Sequence, residues 1–153
     1  MNKVNFYAIF KEYAQNMDKP GNIERKKNII KICKDQPYLL IMPGYNKSYY
    51  NEAANLIIDL GYDVFKDNLE DLLTWLQDEN WPAADKVIDF LSSIPQKELI
   101  TAIKNVLRIA YDDKDDFWIY GIEHLLRNAE LFEYFYSDSE FKKILEFSDE
   151  INS

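Results

Sequence analysis

Carboxylates and aromatic rings recur together at two places in the second half of the chain, a combination suited to holding a basic surface. Asp78 and Glu79 precede Trp81. Tyr111 leads into Asp112-Asp113-Lys114-Asp115-Asp116, with Trp118 just beyond. Carboxylates steer a basic partner during encounter, and rigid rings anchor it once water is expelled. The competing reading is structural: acids cap helices and solvate turns while Trp rings fill the core. Trp75 and Trp118 are expected to be buried, because large aromatics mostly are.

Other chemistries have weaker footing. The acidic run offers oxygens to a hard cation, but Lys114 or Phe117 stands where a calcium loop needs an acid, and the turn glycine is missing. Chance cation binding there is expected rather than a metal site, and no cofactor is expected. His124 is the one histidine; acid–base work needs an orienting partner, and the sequence shows none. Cys33 lies among isoleucines as a small core residue. Ser92-Ser93 lacks a nucleophile-elbow pattern, and no glycine-rich phosphate loop exists. A carboxylate pair for glycoside hydrolysis stays open among 27 acids.

Helices must position these groups. Phe6, Ile9, Phe10, Tyr13 and Ala14 share one face of a helix over about 2–17, which Lys19-Pro20-Gly21 stops. A second helix is expected over about 23–34. Pro37–Met42 reads as one helical turn, with a strand as the second choice. Ser48 is expected to cap a helix that has Glu52 just inside it and stops at Gly61. Leu69, Leu72, Leu73 and Leu76 line a further helix, broken at 77–81. Pro82 is expected at the first position of the next helix and Pro95 to open another. Asp115 or Asp116 caps the helix that follows the acidic run. A last helix runs over about 139–147, with the remainder fraying. The aromatic stretch 131–136 is expected to pack. No segment alternates with period two for long enough to make a convincing strand.

Composition agrees with an all-α, single domain of 153 residues: 11 Tyr, 9 Phe and 3 Trp stand against 4 Gly. The net charge of −9 argues against a nucleic-acid partner and for a basic protein partner. A single cysteine permits no internal disulfide, and no run approaches a membrane span or a signal peptide, so a cytoplasmic setting without membrane contact is expected.

Leu72-Leu73-Thr74-Trp75-Leu76-Gln77-Asp78-Glu79-Asn80-Trp81-Pro82 resembles the signature of a bacterial family catalogued as domain of unknown function 5071, a leucine pair followed by Trp-Leu-Gln-Asp and then Asn-Trp-Pro. Asp115-Asp116-Phe117-Trp118-Ile119-Tyr120 is similar to its second signature. The match covers about 62–128, leaving N-terminal helices over 1–61 and a C-terminal helix over 129–153 outside. The resemblance implies a HEAT-like fold and no reaction; some relatives of this general kind look like immunity proteins of bacterial toxin systems.

Antiparallel hairpins over 69–94 and 96–128, stacked as a short α-solenoid, would bring the turns at 78–81 and 111–116 to one edge. The expected function is a protein-binding helical-repeat module. Its leading form is an immunity protein that neutralises a basic toxin such as a nuclease, through Asp78, Glu79, Trp81, Tyr111, Asp112, Asp113, Asp115 and Asp116. The alternatives are a hydrolase using carboxylates or a bound metal, and a structural adaptor.

Overall fold

A computed structural model describes residues 1–152, and among them every regular element is helical. The chain divides into two compact units, 1–68 and 69–153.

In the first unit, α1 (Lys3–Ala14) begins at Asn2, whose side chain accepts from Asn5 N at 2.8 Å. Phe6, Phe10 and Tyr13 recur at helical spacing and are buried. Each such ring contributes about 1.5–3 kcal/mol of burial. After Pro20-Gly21, α2 (Asn22–Asp35) turns Ile29 and Cys33 inward. Pro37–Leu40 is the expected single turn, of the 3₁₀ kind, with Leu39 and Leu40 buried. Ser48 is not a cap. Asn46 accepts from Ser48 N at 2.9 Å and starts a 3₁₀ turn, Lys47–Tyr49, that feeds α3 (Tyr50–Leu60). The earlier Asx acceptor captures the free amide, so the helix proper starts later. Gly61 at φ +84° ends α3, and α4 (Tyr62–Phe65) follows at once. No side chain but glycine's takes that φ without strain.

The second unit opens with α5 (Leu69–Leu73), which tightens into a 3₁₀ segment, Thr74–Gln77. Pro82 is not the first residue of a helix. Its carbonyl accepts from the buried Trp75 Nε1 at 3.0 Å, the chain turns through Ala83 at φ +67°, and α6 (Ala84–Ser92) begins after it. Satisfying a buried indole overrides the proline's local preference. Then come α7 (Gln96–Asp112), opened after Pro95 as expected, and α8 (Asp116–Asn128), capped by Asp115, which accepts from Trp118 N at 3.1 Å. The aromatic stretch gives the short α9 (Phe132–Tyr136), and α10 (Ser139–Asn152) follows. The last helix runs through Asn152, beyond the expected fraying point at Asp149; Ser153 lies outside the described residues.

The second unit is built around α8. It contacts α6, α7, α9, α10 and the 3₁₀ segment. Trp118, Ile119, Gly121, Ile122, Glu123, Leu125 and Leu126 are all buried, so only a narrow strip of this helix meets water. The 3₁₀ segment runs along α8 in the same direction. Trp118 Nε1 donates to Leu73 O at 2.9 Å, Gly121 abuts the backbone of Leu76, and His124 meets Glu79. The two members of each pair stand 45 positions apart.

Candidate partner-binding face

The strip of α8 left to solvent carries Phe117, Tyr120, His124, Arg127 and Asn128, spaced three or four apart along one face. Phe117 is 66 % exposed, because Trp118 is drawn into the core and its neighbour is thereby swung about 100° away. Tyr120 and His124 rings lie 4.9 Å apart. From Phe117 to Asn128 the strip is about 16 Å long at the α-helical rise.

Carboxylates flank it at three levels. At its start, Asp112 and Asp113 are exposed on the α7–α8 turn, beside the 46 % exposed Ile109 one turn earlier. At mid-length, Glu79 Oε2 lies 2.5 Å from His124 Nδ1. That bond fixes which ring nitrogen faces the carboxylate and leaves Nε2 uncommitted. The histidine that the sequence left without an orienting partner therefore has one. Towards the far end, α6 and α8 enclose an open groove of about 410 Å³ lined by Asp85, Ile88, Asp89, His124, Arg127 and Asn128. Asn128 Nδ2 donates to Asp89 Oδ1 at 3.3 Å and to Ser92 Oγ at 2.8 Å. The Arg127 guanidinium stacks on the Phe132 ring at 4.0 Å.

The residues singled out from sequence separate into distinct roles. Asp78 Oδ1 accepts from Asn80 N at 2.9 Å and closes its own turn. Asp115 caps α8, and the Asp116 carbonyl accepts from Ser148 Oγ at 3.2 Å. Tyr111 packs edge-on to Phe147, 5.4 Å between centroids. Trp118 is core, as is Trp75, and Trp81 is half-buried. Asp112 and Asp113 are exposed at the surface, whereas Glu79 is partly exposed and bonded to His124. The two acidic turns flank one helix, but at different levels: Asp116 and His124 are eight residues apart, about 12 Å along α8. Phe117, His124, Asp85 and Asp89 belong to this face and were not among the sites expected from sequence. Phe117 was legible in one respect: a residue next to a buried tryptophan on a helix must look elsewhere.

The Ser92 hydroxyl donates to Ile88 O at 2.8 Å and accepts from Asn128, so it is not directed at the imidazole. Among the described residues, no three His, Cys, Asp or Glu side chains gather where they could hold a metal ion. Among the described residues of this unit, Glu123 is a carboxylic acid with a raised pKa. Burial raises it first, then the nearby Asp149, while Arg127 and His124 oppose the shift. It is absent from the lining of the groove. Cys33 is fully buried, and burial pushes its thiol up to about 12, so it is a core residue.

The family model described as domain of unknown function (DUF5071) matches residues 47–147. The chain belongs to that family. The matched span includes Glu79, the acidic turn and all of α8. No curated protein and no solved structure matches the chain. Among the described residues, no helix is long and apolar enough to cross a membrane.

Proposed function

We propose that this family member is a protein-binding module whose α8 face docks a basic protein. In its most concrete form, it is an immunity protein that neutralises a basic bacterial toxin, such as a nuclease, in the cytoplasm. The observation that carries this reading is the exposed Phe117 on a strip that continues through Tyr120 and His124 and is bordered by Asp112, Asp113, Glu79, Asp85 and Asp89. An isolated exposed phenylalanine is ordinary. One that heads a ring-bearing strip edged by carboxylates matches an interface with an apolar centre and a charged rim. The net charge of −9 adds long-range attraction for a basic partner. A short HEAT-like arrangement is compatible with this reading, since α7 and α8 are joined by a three-residue turn and pack on each other.

The deciding experiment is binding to the product of the neighbouring gene, with Asp112→Lys and Asp113→Lys combined, and Phe117→Ala separately. Charge reversal should slow association and flatten its salt dependence; loss of the ring should speed dissociation by about tenfold or more. Unchanged rates in both variants would remove the proposed face.

The Glu79–His124 contact beside the α6–α8 groove favours hydrolysis as a second reading, with His124 as general base. It requires that His124→Ala abolish an activity the parent chain shows.

A further inference from the structure

We infer that the first unit holds a binding site for a small organic cation, a primary ammonium or guanidinium group on a short apolar stem, in the cleft between α1, α2 and α3.

The cleft measures about 340 Å³ and is lined by Tyr13, Met17, Lys26, Glu52, Asn55, Leu56, Ile58 and Asp59. This is at the low end of ligand pockets, which run roughly 300–1,000 Å³, so it suits a few-carbon molecule and not a folded segment. Glu52, Asn55 and Asp59 are three and four residues apart and share one face of α3.

One polar atom in the lining lacks a protein partner among the described residues. Glu52 Oε2 is buried without a hydrogen bond. Tyr13, 4 % exposed, lines the same cleft. Buried polar groups are nearly always paired, so a buried carboxylate oxygen left unpaired beside a cleft marks a place where something else completes the bonding.

The charge decides the sign of that ligand. Lys26 Nζ already meets Asp59 Oδ2 at 3.5 Å, both about half exposed at the cleft's mouth. Glu52 is then the carboxylate in excess, so an anion is repelled and a single positive charge is matched. The same field acts on Tyr13, whose phenol is pushed up by burial, then Asp59, then Glu52, and so stays protonated. An ammonium donates to Glu52 Oε2 and to the Tyr13 oxygen. Its stem lies on Met17, Leu56 and Ile58; Met17 and Ile58 are large apolar side chains otherwise left 49 % and 44 % exposed. This site is independent of the α8 face, and its failure leaves that proposal untouched.

The test is a backbone amide NMR titration of the full ¹⁵N-labelled chain with n-butylammonium chloride, against n-butanol and against sodium chloride at equal ionic strength. The expected result is saturable shifts at residues 13–17, 22–26 and 52–59 with the amine alone. Glu52→Gln should weaken binding by about tenfold or more and Tyr13→Phe by roughly threefold. Each variant's own spectrum reports whether it folds; should the glutamine variant fail to fold, the phenylalanine variant decides. Shifts that butanol reproduces, shifts that do not saturate, or full affinity in the folded variants would overturn the assignment.

Discussion

Glu79 and His124 meet across 2.5 Å, one from a turn after a 3₁₀ segment and the other from the open face of α8. Both side chains are partly exposed, at 24 % and 44 %. A pair this wet contributes no more than about 1 kcal/mol. His124→Ala should therefore leave urea unfolding within about 1 kcal/mol of the parent while weakening partner binding by about tenfold or more. A large stability loss with intact binding would show that the pair serves the fold.

The acids of the α7–α8 turn should divide by role. Asp115→Ala removes the cap on Trp118 N and is expected to cost about 1 kcal/mol. Asp112→Ala and Asp113→Ala, at exposed positions, should stay within about 0.5 kcal/mol. Chemical denaturation of the three variants checks the division.

Gly121→Ala should destabilise the chain by about 1–3 kcal/mol. An added methyl group at Gly121 runs into the carbonyl oxygen of Leu76, a backbone atom that cannot swing aside. Thermal unfolding reads the loss directly.

Glu123 predicts a pH dependence. The residue is 7 % exposed, its Oε1 has no hydrogen-bond partner among the described residues, and Arg127 Nη2 stands 3.8 Å from that oxygen. Burial raises its pKa above the ordinary value of 4.5. A raised carboxyl pKa means that the folded state holds the proton more tightly than the unfolded one. Stability from this group is thus present below 4.5 and is lost as pH rises through the folded-state pKa. Glu123→Gln should accordingly be more stable than the parent at pH 7, by on the order of 1 kcal/mol, and the advantage should shrink below the carboxylate range. Urea titrations at neutral and acid pH test the sign.

Cys33 should resist thiol reagents in the folded protein, since it is fully buried and its pKa is pushed to about 12. Its labelling rate in native buffer should track the rate of unfolding. Rapid stoichiometric labelling would contradict the packing of α2.

Much of the fold was legible because helix-period burial and backbone punctuation are local. Phe6, Phe10 and Tyr13 declare one helix, Gly61 ends another, and Asp115 caps a third. What escaped was set by distant partners. Pro82 looked like a helix start until its carbonyl was claimed by Trp75 Nε1, and Ser48 looked like a cap until Asn46 supplied the nearer acceptor. His124 showed no partner along the chain because Glu79 lies 45 positions earlier. The acids of the candidate face were visible as residues; which of them close turns and which face water was not, because that depends on hydrogen bonds such as Asp78 to Asn80.

The matched contacts of Leu73, Leu76 and Glu79 with Trp118, Gly121 and His124 act as a ruler. Removing one residue between Trp118 and His124 rotates the imidazole by about 100° and slides it about 1.5 Å, away from its carboxylate, while the tryptophan stays seated. The stretches 73–79 and 118–124 can therefore change length only in concert, whereas the turns between them are free to grow or shrink.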